Sequence, residues 1–374
     1  MALDMPNQRS GGGVLRTLFV LLFLLVLLVA ICVVHQIAGG EIDPDLSKVT
    51  IELIREVRWD RLLAGLAVGV GLSVSGVFLQ AMLRNPLASP YLLGISGGAA
   101  VGVAMSRAGL FVALNVWLME QGVGALSQSG AAFNGAWGAL ATVYVLSQKR
   151  GWVDPLGMVL VGVVVTSIAA AAIMLIHYFY PITDVFGWMM GFLNEDDLRV
   201  VVFTHTVEGE DWRSAWGLIP AGEYRLAMIQ LVLGVVGMGV LCGVLLGRSM
   251  DVATLSDAEA SAIGVHTGRL RLTLFLLAGM MTSVTVVVAG PIGFVGLIGP
   301  HMARLMMGPR HRGLVLGAAL MGGILVVGAD SLVQWARENV EGVETLPLGA
   351  IMSVVGGPIF VLLLRGHLGR GGEG

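Results

Sequence analysis

The sequence predicts an all-α polytopic membrane protein built from about ten transmembrane helices. Hydrophobic residues make up 56% of the 374 positions and charged residues 13%, roughly half the charge content of an average soluble domain. The apolar positions gather into runs that approach the roughly 20 residues needed to cross hydrocarbon as a helix. Glycine occupies 54 positions, roughly twice its ordinary usage, and small residues let helices approach closely within a membrane. No soluble domain is visible between the runs. Cys32 and Cys242 lie inside apolar runs, far from any CxxC pattern, so they read as small hydrophobes and carry no information on compartment.

The first span covers about 14–36, with an unbroken apolar run from Leu18 to Val34 between Arg16 and His35. It is longer than the apolar region of a cleaved signal, and HQIAGGE matches a cleavage site only loosely, so it is expected to stay as a span. After a polar, acidic stretch over 39–60 come spans at about 61–83, 90–108, 131–148, 155–179, 226–247, 270–289, 292–307, 313–334 and 347–364. A cytoplasmic N-terminus places Arg16, Arg84, Lys149, Arg150, Arg248, Arg269 and Arg271 inside and most carboxylates outside, as the positive-inside rule asks. The shortest span, 292–307, carries Arg304 and raises a re-entrant alternative. Without that crossing, later basic residues would move outside and Glu338, Glu341 and Glu344 inside. Ten spans with both termini in the cytoplasm therefore fit the charges best.

The cytoplasmic loop 248–271, RSMDVATLSDAEASAIGVHTGRLR, interrupts two apolar runs and has the punctuation of a helix. Ser256 followed by Glu259 has the form of a capping box, and Leu255, Glu259, Ala262 and Ile263 recur at helical spacing. Gly264 stands where a left-handed C-cap would go. A loop that only joins two spans needs no such helix, so the segment reads as a handle for another protein, against the plainer reading of an interfacial helix without a partner. RNPLASP, residues 84–90, reads as a shaped turn: Asn85 before Pro86 ends one helix, and Ser89 with Pro90 forms an N-cap and N1 pair for the next.

Residues 94–98, GISGG, formally satisfy the GxSxG of a nucleophile elbow and the GxSG of rhomboid-type intramembrane proteases. The elbow needs a strand–turn–helix, and a rhomboid needs a later His followed three residues on by glycine, where His301 is followed by Met302, Ala303 and Arg304. Small-residue helix packing is the better account. In AGPIGFVGLIGPHMARL, residues 289–305, Gly293, Gly296 and Gly299 lie between Pro291 and Pro300, so a kinked, tightly packed helix competes with a broken helix that takes part in gating. Asp330 is the only carboxylate well inside a span. A charge there costs roughly 2.5–3.5 kcal/mol on insertion scales, and no partner for it is obvious in the sequence. The outer loop 181–225 is acidic and carries Trp188, Trp212 and Trp216 at belt positions, while His205 lacks the spacing of a metal ligand set. Lys48 and Lys149 are the only lysines and neither follows a glycine, so there is no phosphate-binding GxxxxGK[ST] loop. Transport powered by ATP would need a separate ATPase pushing from the cytoplasm. The chain is expected to hold no catalytic, cofactor or metal site.

RLLAGLAVGVGLSVSGVFLQAMLRNPLASPYLLGISGGA (61–99), WMMG (188–191), LSDAEASAIGV (255–265), GPIGFVGLIGPHMARL (290–305) and LPLGAIMSVVGGPIFVLLL (346–364) together resemble the FecCD/BtuC-type permeases. These are the membrane subunits of type II ABC importers for iron–siderophores, haem, cobalamin and related chelates. The resemblance implies a BtuC-like ten-helix subunit in a bacterial inner membrane. It would pair with a second copy, two cytoplasmic ATPase subunits that bind the ATP, and a substrate-binding protein docking from outside, with no nucleic acid among its partners. It further implies that Leu255, Ser256, Asp257, Glu259, Ala262 and Gly264 form the ATPase contact. Arg58 and Arg61 would receive carboxylates of the binding protein, with Arg337 as a looser candidate. Pro291, Gly293, Gly296, Gly299 and Pro300 remain the gating or kink segment. Three departures stand out: Asp60 where the family has proline, Thr345 where it has glutamate, and a longer loop over about 195–210 that suggests a lid or added docking surface. The expected function is import of a metal chelate, iron–siderophore by default with haem, cobalamin or an oxyanion open. The competing reading is a self-powered secondary transporter or channel.

Overall fold

The computed structural model describes residues 10–40, 48–120, 125–149, 152–182, 184–193, 203–204, 221–342 and 346–368. Thirteen α-helices run through them. They are α1 (Ser10–Ala38), α2 (Lys48–Leu83), α3 (Ile95–Arg107), α4 (Val112–Glu120), α5 (Gln128–Leu146), α6 (Pro155–Phe179), α7 (Asp184–Met189), α8 (Ala221–Ala253), α9 (Asp257–Ala262), α10 (Thr267–Ala289), α11 (Val295–Met307), α12 (His311–Asn339) and α13 (Leu348–Leu368). Two antiparallel pairs of two-residue strands complete them: Ala125–Leu126 with Phe203–Thr204, and Gln148–Lys149 with Trp152–Val153.

Helix occurs within each of the ten expected ranges, and among the described residues six helices are long and apolar enough to cross a membrane alone. A seventh such unit, α3 with α4, is bent by 83°. The helix α11 has 13 residues, about 20 Å at 1.5 Å per residue, too short to cross hydrocarbon by itself. The expected continuous span over 90–108 is broken. Ser89 stands at the N-cap in extended backbone with Pro90 at N1, but its hydroxyl makes no cap bond, and only a 3₁₀ turn over Pro90–Leu93 follows. Gly94 then turns left-handed at φ 69° before α3 begins. Locally coded ends hold elsewhere. The Ser127 hydroxyl accepts from Gly130 N–H at 3.1 Å to start α5, and the Asp154 carboxylate accepts from Gly157 N–H at 2.8 Å with Pro155 at N1 to start α6.

α2 is the axis of the bundle. Over its most apolar window 83% of residues are buried, against 6% for α1, so α1 lies at the periphery with Leu18, Phe19, Leu22 and Val26 exposed. α2 packs against α8, α10, α11 and α12. Two approaches explain part of the glycine content: a Cβ on Gly69 would strike the carbonyl of Gly322 on α12, and one on Gly76 the carbonyl of Gly296 on α11. At both points backbone meets backbone, which only glycine permits. At 36 residues α2 is about 54 Å long. It begins well before the predicted start at 61, because the polar turns over 48–60 continue the same helix outward.

Candidate functional site

The loop 248–271 folds as its punctuation predicts. α8 ends at Ala253, and α9 is a six-residue helix opened by Ser256. The Ser256 hydroxyl accepts from Glu259 N–H at 3.3 Å, while Glu259 Oε2 accepts from Ser256 N–H at 2.9 Å and from the Ser256 hydroxyl at 2.6 Å. These bonds hold the Glu259 carboxyl below its ordinary range. Gly264, at φ 92°, ends the helix: its N–H reaches Ser261 O at 3.0 Å and Val265 N–H reaches Ala260 O at 2.9 Å, a Schellman motif. Only Ala260 of α9 is buried, and Leu255, Ala262 and Ile263 are exposed. Asp257 is clamped from two sides. Arg84 Nη2 donates to Asp257 Oδ1 at 2.6 Å, and Arg271 Nη2 donates to Oδ1 and Oδ2 at 2.9 and 3.1 Å. Desolvation pulls the Asp257 carboxyl upward, but the Arg84 hydrogen bond and the charges of Arg271 and Arg84 outweigh it and hold the group below its ordinary range.

The segment 289–305 divides by role. Gly290 (φ 66°) ends α10, Phe294 (φ 64°) opens α11 in left-handed backbone, and the chain between them forms one wall of a cavity of about 530 Å³. Pro291 and Gly293 line this cavity together with Met189, Met190, Phe294 and Leu297, and Gly349 and Ser353 close it from α13. None of the described residues that line it is charged. Gly296 and Gly299 pack against α2 instead, and Pro300 is buried. Pro300 cannot donate to the Gly296 carbonyl one turn back, and that carbonyl lies against Gly76.

Two of the three predicted docking arginines are engaged within the chain. Arg61 grips Asp330 with two bonds, Nε to Oδ2 and Nη2 to Oδ1, both 2.9 Å. His35 Nε2 lies 2.8 Å from Asp330 Oδ2, and the Gln334 amide donates to the same oxygen at 3.0 Å. Asp330 therefore has partners from α1, α2 and its own helix, none of them obvious in the sequence. Arg58 donates to the carbonyls of Gln36, Gly39 and Gly40 at 3.3, 2.5 and 3.0 Å, capping the end of α1. Arg337 is exposed in the last turn of α12. The missed members, His35 and Gln334, had a weak signal: Gln334 follows Asp330 by one helical turn, and His35 closes the first apolar run.

Ser96 of GISGG lies buried in α3, whose Gly98 and Gly102 meet backbone of α5 at Gly135 and Ala131. That is helix packing rather than a strand–turn–helix. Of the 195–210 insertion only Phe203 and Thr204 are described, paired with Leu126 and Ala125, while His205, Trp212, Trp216 and Thr345 lie outside the described residues.

The described residues thus form an apolar helical bundle with a cavity and an exposed, capped helix. The chain belongs to the FecCD transport family, which matches residues 13–207 and 214–366, and it is a permease rather than an enzyme. It is 31% identical over 315 residues to the cobalamin import system permease protein BtuC of Halobacterium salinarum, covering 84% of this chain and 73% of that one. It is also 31% identical over 317 residues to the hemin transport system permease protein HmuU of Yersinia pestis, covering 84% of each. With the vitamin B12 import system permease protein BtuC of Citrobacter koseri it shares 31% identity over 364 residues, covering 96% and 95%. Among solved structures, a metal-chelate type ABC transporter in an inward-facing conformation superposes with a TM-score of 0.70. It is 23% identical and covers 93% of this chain and 99% of that one, a likeness of fold.

Proposed function

We propose that the chain is the membrane-spanning permease of an ATP-driven importer of metal chelates, acting as a homodimer with two ATPase subunits and an external binding protein. The observation that carries this reading is α9, a helix capped at both ends that leaves Leu255, Ala262 and Ile263 exposed. Exposed apolar side chains on a rigidly held helix suit a groove on a partner. In this reading the termini and α9 face the cytoplasm, ten segments thread the membrane, and Asp257 and Glu259 set the charge of the contact. ATP-driven movement of α9 opens and closes a path at the two-fold axis, with the uncharged cavity beside Phe294 and Ser353 as half of it. The names of the relatives support iron–siderophore, haem or cobalamin as cargo. A small oxyanion suits the cavity less well, because none of the described residues that line it is charged. Self-powered transport is weakened by Asp330, whose charge is already matched by Arg61. Docking of the binding protein centres on exposed Arg337, with Arg58 and Arg61 joining only when they leave their internal acceptors.

The test is mild-detergent affinity purification of the tagged chain from its host, followed by mass spectrometry. An ABC-type ATPase should copurify and should be lost on Ala262→Trp. A chain that comes down alone, with uptake surviving ATP depletion, would replace this reading with self-powered transport.

A further inference from the structure

Arg84 follows the last residue of α2 and adopts φ 48°, the left-handed position of a Schellman ending, with Arg84 N–H on Ala81 O at 3.4 Å and Asn85 N–H on Gln80 O at 3.1 Å. From that fixed point its side chain forms a fork. Nε donates to Ala253 O at 2.7 Å and Nη2 donates to Asp257 Oδ1 at 2.6 Å. Ala253 closes α8 and Asp257 opens α9. A single guanidinium thus pins both sides of the hinge 254–256 to the end of α2. Arg271 ties the same carboxylate to α10, and Asp251 Oδ1 accepts from His311 N–H at 2.9 Å at the start of α12. The loop from α8 to α9 is therefore joined by side chains to α2, α10 and α12.

Resting on the importer reading, we propose that Arg84 is the positioning residue through which displacement of α9 is delivered to α2, and so to the cavity wall at α11. Three observations favour transmission over simple capping. The fork spans the hinge instead of sitting on one side of it. Its target helix is the one that packs against α8, α10, α11 and α12, so a push on α2 moves them together. The Arg84 and Asp257 side chains are 34% and 51% exposed, which lets the contact slide or re-form as α9 moves, where a fully buried pair would have to be broken outright. Lysine cannot reproduce the fork, because its ammonium is a single point charge without planar donors.

The experiment uses the full chain assembled with its ATPase in vesicles, with Cys32 and Cys242 replaced by serine and one new thiol, Ser353→Cys, on the cavity wall. A membrane-impermeant maleimide then reports whether ATP with vanadate changes the labelling rate at 353, which requires no knowledge of the cargo. Arg84→Gly removes the fork while relieving the left-handed backbone, so its effect is separable from misfolding. Its expected result is ATP hydrolysis with at least a tenfold smaller nucleotide-dependent change in labelling, and Arg84→Lys should fall between. An undiminished change in the glycine variant overturns the inference and leaves the importer reading standing. Loss of the ATPase from that variant also overturns it, assigning Arg84 to binding instead of transmission. A parent protein that shows no nucleotide-dependent change overturns the importer reading itself, and this inference with it.

Discussion

Two arginine–aspartate pairs hold α2, built from the same parts to opposite physical effect. Arg84, just past the last residue of α2, grips Asp257, and Arg61, inside the helix, grips Asp330. The aspartate side chain is 51% exposed in the first pair and 2% in the second. An exposed ion pair contributes about 0–1 kcal/mol and re-forms easily. A buried pair is weak evidence of net stabilisation, yet removing one partner leaves an uncompensated charge and costs about 3–5 kcal/mol. The exposed pair is thus suited to a joint and the buried pair to a fixed tie, holding α1 to the bundle through His35.

The largest effect should follow from cutting the tie. Asp330→Leu should lower the unfolding free energy in detergent by about 3–5 kcal/mol, whereas Asp257→Asn should lower it by no more than about 1 kcal/mol. The double variant Arg61→Met with Asp330→Leu should recover most of the loss, because it removes both charges from the interior. Equal costs at the two pairs would remove the distinction between joint and tie.

The shaft between the two pairs comes next. Gly322→Ala inserts a methyl where Gly69 backbone already lies, and overpacking of this kind costs about 1–3 kcal/mol. If transmission runs along α2, the same variant should also blunt the nucleotide response at position 353. A stable variant with a normal response would show that α2 need not be rigid.

These regions differ equally in how far they could be read beforehand. Every signal for α9 lies within ten residues: the Ser256–Glu259 pair, the helical spacing and Gly264. Its caps depend only on local backbone geometry, so they were legible. Arg61 and Asp330 are separated by 269 positions, and nothing local states that they meet. Asp330 therefore looked unpartnered, and Arg61 looked free to receive a carboxylate from outside. The α2 overrun to Lys48 was hidden for a related reason, since apolar run length marks where hydrocarbon begins rather than where a helix does. The break at Gly94 was missed because Ser89 and Pro90 carry the letters of a helix start. Approach of the Gly162 carbon to the Leu92 carbonyl, a tertiary contact, fixes the irregular turn there.

A smaller effect tests the caps of α9. Ser256→Ala should cost about 1 kcal/mol of local stability, read as faster hydrogen exchange at Ala260 and Ile263, with global unfolding in detergent almost unchanged. A global loss as large as that of Asp330→Leu would mean that α9 is part of the core and not a separate moving element.

The smallest expected effect is that of mild acid on the exposed joint. The carboxyls of Asp257 and Glu259 both titrate below their ordinary values of 3.8 and 4.5. A depressed folded-state pKa contributes stability that is present above the unfolded value and is lost as pH falls through the folded one. Clamp and cap should therefore stay intact from pH 7 to pH 5 and weaken only below about 4. Hydrogen exchange at Ala260, Ile263 and Val265, corrected for intrinsic rates, should show constant protection over the upper range. Fraying already at pH 5 would mean that Arg84 and Arg271 do not hold Asp257 in the working state. With both carboxylates ionised throughout that range, the charge that α9 offers a partner is fixed, and its motion is left to respond to the partner rather than to pH.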